Sequence, residues 1–373
     1  MFDYLRYYLS PLILLASVYG LYLGGPYVWI SLLSLPVLAI GDALLPRDLA
    51  SRHVRHDRLA LVPVVLSCIL WGASFVLLAW QAGHGDLSTA NLIGAILSTG
   101  WIGTIVGLPA YHELLHRRDP LIRNFALLMQ VFLMDGTRDI GHVTAHHIYV
   151  GTPKDHDTAV RGETLYGFMW RSAVRNFVLA QRLECEALEK RGKGRWSIGH
   201  RLWWAVGSLL ALMVAMFLIG GWPAAGATLA AGLMSRFLLE AFNYFQHYGQ
   251  VRREGAPICK RHVWNHLGML TRAMTFEITN HAEHHLNSYA PYYANKPDLG
   301  AIRMPSVFMC FIAALVPPLW HHRIIMPALK RWDLEFASPE ERELARAQNR
   351  AAGWPDWFTE TTQAQTQSGA VAR

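Results

Sequence analysis

Hydrophobic runs of bilayer length, joined by short polar segments, dominate the first half of this chain. Six reach or approach the roughly 20 apolar residues that a membrane helix needs. They lie at about 9–25, 26–45, 59–80, 91–111, 203–220 and 222–244. Two shorter apolar runs, 121–134 and 307–320, fit a buried, re-entrant or interfacial helix. The pattern predicts an all-α fold, an integral membrane helical bundle of about six transmembrane helices. Two long stretches expected to be cytoplasmic, at about 112–202 and from 245 onward, interrupt the spans, and Gly220-Gly221-Trp222-Pro223 closes a tight hairpin between the last two. Ser338 followed by Pro339 and Glu341 reads as a capped helix start. Residues 361–373, small and polar, read as a disordered tail. The expected division is a membrane domain over 1–334 and a cytoplasmic C-terminal helix and tail over 335–373.

Composition agrees with a membrane protein. The 373 residues are 52% hydrophobic and 16% charged, whereas roughly a quarter of a soluble domain is charged. Cationic residues are unevenly placed. Arg47, Arg52, Arg55 and Arg58 follow the second run, and Arg117 and Arg118 follow the fourth. The alternate joints at 24–26, 81–91 and 220–222 hold no Lys or Arg. The positive-inside rule then puts both termini on the cytoplasmic side of a bacterial-type inner membrane. The net charge of +7 is accounted for by anionic lipid, and no basic face interleaved with aromatics points to nucleic acid. The first run follows Arg6 without a small-x-small cleavage site and is expected to remain as an anchor. Cys68, Cys185, Cys259 and Cys310 form no CxxC pair, so neither a disulfide framework nor a built-in iron–sulfur module is supported.

Nine histidines fall into four groups: His112 and His116 in HELLH, His142, His146 and His147 in HVTAHH, His247 in NYFQHYG, and His281, His284 and His285 in NHAEHH. Imidazole is the commonest side-chain metal ligand, and it ligates only where several rings converge. Spacings of three or four put rings on one helix face, so His112/His116, His142/His146 and His281/His284 are each expected to point together. Nine rings exceed one ion's capacity, which predicts a two-metal centre on the cytoplasmic side. Zinc and iron both suit imidazole. His262 and His266 form a rival HxxxH pair, expected to be structural or to lie behind the ligands. His53, His56, His84, His156 and His200 are expected to be surface or hydrogen-bonded core residues, and His321 and His322 to sit at the cytoplasmic edge of the last apolar run. Glu113, Asp139, Asp155, Asp157, Glu277 and Glu283 flank the groups. Each is either a carboxylate that orients a ring or an ordinary solvated charge. Arg236 and Glu240, four apart near the inner end of the sixth run, are expected to form a structural ion pair.

At these residues the chain resembles the membrane-bound non-haem di-iron hydroxylases. Fatty-acid desaturases share HxxxH and HxxHH boxes. The HxxxHH second box and the isolated NYFQHYG box are similar to the alkane and xylene monooxygenase branch. RDIGHVTAHHIYVGTPKDHDT, EAFNYFQHYG, EITNHAEHH and PEERELARAQNRAAGWP extend the likeness over nearly the whole chain. The resemblance implies a six-span fold with two iron ions held by His112, His116, His142, His146, His147, His247, His281, His284 and His285. It implies an enzyme that inserts one atom of O2 into the methyl C–H bond of an aromatic hydrocarbon (xylene, toluene or p-cymene-like) to give a primary alcohol. A hydrophobic substrate would arrive from the bilayer, and electrons would come from a separate reductase carrying NADH, FAD and a 2Fe-2S cluster. Consistent with external electrons, no Gly-rich dinucleotide loop follows a strand. Competing readings are an n-alkane terminal hydroxylase, a fatty-acid desaturase or hydroxylase, and, from another class, a membrane metal transporter, which would carry its ligands near mid-membrane. The preferred hydrocarbon and the oligomeric state are left open.

Overall fold

The computed structural model describes residues 3–359. Regular structure among them is helical, with one isolated β-bridge between Ala159 and Tyr248. The apolar runs become α1 (Leu9–Leu23), α2 (Gly25–Leu44), α3 (Asp57–His84), α4 (Thr89–Leu115) and, after α5 (Pro120–Leu133) and α6 (Leu165–Lys190), α7 (Arg201–Gln246). Four of these, α2, α3, α4 and α7, are long and apolar enough to cross a bilayer. Of the six expected runs, the first is a 15-residue helix, and the fifth and sixth are two helices of α7 joined at the non-helical Gly220 and Gly221. The expected hairpin is present: Ala205 before the joint meets Gly136, and Arg236 after it reaches Asp135. At the bend Gly221 takes φ +68°, which glycine adopts without steric cost. A side chain on Gly83 would strike the Gly220 backbone, so α3 and the bend meet main chain to main chain.

Lipid is as apolar as leucine, so close packing rather than expulsion from water holds such helices together. Gly103 and Gly107 illustrate this: a Cβ on either would come within 2.5 Å of the buried Trp71 indole. The five residues Gly103–Gly107 form a π-turn inside α4, just before the first histidine group. Outward residues such as Val37, Leu218 and Trp222 are 63%, 77% and 79% exposed, an apolar surface suited to lipid.

The ambiguous runs prove short. Residues 121–134 give α5, whose start is capped by the Asp119 carboxylate accepting from the Leu121 and Ile122 amides. Residues 307–320 begin as an eight-residue helix, Val307–Ala314. Ser338 and Glu341 make the expected reciprocal cap of the helix Pro339–Ala351. That helix docks on the body through Arg161, which donates to Asn349 at 2.8 Å and pairs with Asp333 at 2.6 Å, and through His262 and Glu341 at 2.7 Å. The expected tail at 361–373 lies outside the described residues.

Arg236 and Glu240 do pair, inside a larger buried network. Arg138 bridges Asp157 at 3.1 Å and Glu240 at 3.2 Å, the Ser172 hydroxyl lies 2.9 Å from each of these carboxylates, and Arg236 reaches Asp135 at 3.2 Å. Buried charge is tolerated where it is paired and hydrogen-bonded. Here it ties α6 and α7 to the segment that carries the second histidine group.

Candidate metal centre

The four histidine groups meet beneath the ends of α4 and α7. His112 lies in the last turn of α4 and His116 just past it, while His247 ends α7. His142–His146 is a π-turn, with His147 directly after it, and the last three rings occupy the short helix His281–Leu286. The rings sort into two sets. One holds His112, His116, His142, His147 and His284; the other holds His146, His247, His281 and His285. Within each set the candidate ligand atoms lie within 4.8 Å of one another.

Two of the three expected same-face pairs are split by this arrangement. His112 and His116 share a set, but His142 and His146 do not, and neither do His281 and His284. The wider π-turn brings His142 and His147, five apart, to an Nε2–Nε2 separation of 3.2 Å. In the last helix His281 and His285, four apart, meet at 3.0 Å, and His284 turns to the other set. Each doubled HH therefore sends its two rings to different sets.

Nitrogen spacing shows that these rings fit a bound cation. In the first set, His116, His112, His142 and His147 form a chain of Nε2–Nε2 contacts at 3.3, 2.8 and 3.2 Å. The second runs His146, His247, His281, His285 at 3.2, 2.9 and 3.0 Å. A ring nitrogen either carries one proton or offers one lone pair, so protons cannot satisfy three successive contacts through shared nitrogens. A cation can. Nitrogens about 2.1 Å from one ion lie roughly 3.0–3.4 Å apart at octahedral to tetrahedral angles.

The far side of each ring sets its tautomer. His146 Nδ1 donates to Asp155, with both carboxylate oxygens at 3.0 Å, and His281 Nδ1 donates to the Ile278 carbonyl at 3.0 Å. Such bonds aim the Nε2 lone pair inward. Burial and the neighbouring rings hold His142, His147, His247, His284 and His285 well below the ordinary imidazole range. His281 is lowered to about 3 by the same burial and by His146. These rings are thus neutral, as a ligand must be. His146 moves the other way: the Asp155 carboxylate outweighs burial and raises it.

Of the six flanking carboxylates, Asp155 alone hydrogen-bonds one of the nine rings among the described residues, with an Asp157 oxygen within 4.8 Å of ligand atoms of both His146 and Asp155. Glu113 pairs with Arg117 at 2.8 Å, Asp139 with Arg201 at 2.7 Å, and Glu283 with Lys260 at 3.3 Å. Asp157 belongs to the Arg138 network, and Glu277 accepts from Tyr7 at 2.6 Å and Arg52 at 3.1 Å. The rival pair also falls outside both sets. His262 bonds Glu341, and His266 donates from Nδ1 to the Pro305 carbonyl at 2.8 Å. His321 sits against Tyr248 and the Glu163 carbonyl at 3.0 and 3.2 Å.

A cavity of about 30 Å³, room for about one water, lies over the rings on the side of the spans. His112, His142 and His281 form its base, while Leu239, Phe242, Asn243 and Gln246 of α7 form a wall. Those four are spaced i, i+3, i+4 and i+7, one helical face ending beside His247. That spacing was readable from the chain, but it could not be told from ordinary packing. Phe242 also lines a second, wholly apolar cavity of about 10 Å³ with Trp101, Ile105, Leu238, Phe308 and Phe311. Larger concavities of about 420 and 510 Å³ lie elsewhere, and none of the nine rings lines them.

Residues 87–296 match the fatty acid desaturase family. The chain is 40% identical over 360 residues to the xylene/toluene monooxygenase hydroxylase component of Pseudomonas putida, covering 95% of this chain and 97% of that protein. It is 31% identical to alkane 1-monooxygenase 1 of Pseudomonas aeruginosa over 70% of this chain and 69% of the relative. Alkane 1-monooxygenase 2 of Alcanivorax borkumensis is 30% identical over 72% of each. Buried imidazoles gathered under apolar helices, in a chain so similar to these enzymes, make it a membrane monooxygenase of the alkane/xylene monooxygenase family.

Proposed function

We propose that this monooxygenase hydroxylates the methyl group of an aromatic hydrocarbon to a primary alcohol, with a pair of iron ions held by the nine histidines. The observation that carries the metal assignment is the division of the rings into sets of five and four, with Nε2 atoms 2.8–3.3 Å apart along each chain. His112, His116, His142, His147 and His284 would hold one iron, and His146, His247, His281 and His285 the other. Bound iron supplies the redox steps and oxygen activation that side chains lack. The substrate class is supported by the relative that matches nearly the whole chain. The alkane 1-monooxygenase relatives favour terminal n-alkane hydroxylation as the second reading.

The chain's own part is positioning and exclusion of water. Asp155 orients the His146 ring, and α7 residues wall one side of the cavity above the rings. Oxidation of R–H with O2 to R–OH and water consumes two electrons and two protons. A separate NADH-dependent flavin and iron–sulfur reductase would deliver the electrons at the cytoplasmic face, where both termini and the centre lie in an inner membrane. The uneven placement of Arg residues supports that orientation.

The test combines iron quantitation with turnover. Purified membranes are given such a reductase, NADH and a panel of methylarenes and n-alkanes under ¹⁸O2. Label in an aryl-methanol and about two irons per chain are expected. Label only in 1-alkanols would transfer the assignment to the second reading, and a single zinc would end both.

A further inference from the structure

Tyr111, Arg138, Asn243 and Gln246 are polar residues lining the cavity over the histidines. Arg138 is held by Asp157 and Glu240, and Gln246 has an amide that hydroxylation of a hydrocarbon leaves without a task. Gln246 is 2% exposed, and its amide Nε2 has no hydrogen-bond partner among the described residues. It lines the cavity one turn beyond Phe242, whose ring stands between this space and the apolar cavity above. Its neighbours do not satisfy it. Asn243, the other amide on the wall, donates to Asp157 at 3.3 Å and Glu240 at 3.2 Å. The Nε2 atoms of His112, His142 and His281 are directed at other rings.

A buried donor with no acceptor is costly, and a methylarene brings no acceptor to it. The reaction does create one in this space, the hydroxyl of the alcohol. A primary amide suits that group on both sides: its N–H donates to the hydroxyl oxygen, and its carbonyl oxygen accepts from the hydroxyl hydrogen.

We infer that Gln246 binds the hydroxyl group of an aryl-methanol product, a contact the hydrocarbon substrate cannot imitate. The one-water space beside it holds that hydroxyl and not the aryl ring. Gln246 thereby separates product from substrate by affinity and lengthens the stay of the alcohol over the metal centre. The inference rests on the methylarene reading above.

The test measures binding without turnover, in the iron-loaded, oxidised enzyme under anaerobic conditions. Affinities for benzyl alcohol and toluene are compared in the wild type, Gln246→Met and Gln246→Leu, with iron content and thermal midpoint as checks on integrity. Both substitutions should weaken benzyl alcohol about tenfold, the scale of one lost hydrogen bond, and leave toluene within twofold. An unchanged alcohol affinity, or parallel weakening of both ligands, overturns the assignment. A second comparison needs only the wild type: ethylbenzene carries a methyl where benzyl alcohol carries its hydroxyl. At equal concentration in the membrane phase the alcohol should bind about tenfold more tightly, and equal or reversed affinities again overturn it. Wild-type enzyme that hydroxylates no methylarene refutes the parent reading. Wild-type turnover with indifferent Gln246 variants refutes this inference alone.

Discussion

Asp155→Asn is the sharpest probe of how the centre is held. The carboxylate is 5% exposed and accepts from His146 Nδ1 at 3.0 Å, Thr158 Oγ1 at 2.6 Å and the Asp157 amide at 3.0 Å. An amide in its place keeps one accepting oxygen but loses the charge that makes the ring a better ligand. Loss of such a partner typically costs 10–100-fold in metal affinity, about 1.4–2.7 kcal/mol. The assay is iron retained per chain during titration with a competing chelator, read by elemental analysis. Release should shift to 10–100-fold lower chelator. Glu283→Gln is the control: Glu283 flanks the same rings in sequence but pairs with Lys260 at 3.3 Å, so its titration should overlay the wild type. Coincident curves for all three proteins would refute the claim that Asp155 orients His146.

Three further outcomes follow from the same geometry. His146→Ala and His284→Ala, one from each set, should each abolish hydroxylation and lower bound iron; full iron and normal turnover in purified His146→Ala would count against its assignment. Phe242→Ala should join the cavities of about 30 and 10 Å³ that share its ring, raising kcat/KM for bulkier para-substituted methylarenes relative to toluene, and an unchanged substrate profile would remove Phe242 as a barrier. At the C-terminal helix, burial alone would raise Glu341, yet bonds from His262 and Arg261 lower it to about 2. A depressed carboxyl stabilises above its unfolded value of about 4.3 and loses that stability as pH falls toward 2. His262, lowered chiefly by burial, adds a loss of the same sign starting below about 6.5. Proteolysis of the Pro339–Ala351 helix should therefore accelerate on acidification, and Glu341→Gln should flatten the part below pH 4.3.

The membrane helices and the nine candidate ligands were legible because both depend on local pattern. Apolar length marks a span whatever it packs against, and HxxxH or HxxHH boxes advertise convergence. Span length was less secure at 9–25, where Gly24 and Gly25 at positive φ end the helix after 15 residues. The choice among six flanking carboxylates was not legible at all. Asp155 and Asp157 stand two apart in one motif, yet one faces His146 and the other faces Arg138 across the α6–α7 network. Only tertiary packing separates them. Gln246 was likewise hidden inside NYFQHYG, since an unpartnered amide is a property of its surroundings rather than of its spacing.

The division of the rings also escaped the helical rule, and its cause yields a decisive experiment. In a plain α-helix residues four apart share a face, yet His142 and His146 enter different sets. The intervening π-turn, His142–His146, carries the equivalent of one extra residue. That residue brings His147 to within 3.2 Å of His142 and sends His146 to His247 at 3.2 Å. Deleting Thr144, an exposed residue of the turn, should restore α geometry and leave His142 and His147 four apart, still on one face, so bound iron should stay near the wild-type level. Inserting one alanine between Val143 and Thr144 adds a second extra residue and should rotate His146 and His147 by about 100°, so that each site loses a ligand at once. Iron should then fall well below that of either single histidine variant, while a matching insertion after Gly192, in an exposed turn after α6, leaves it intact. Full iron in the Val143–Thr144 insertion would mean that the π-turn does not direct the rings, and that convergence is imposed by the surrounding helices instead.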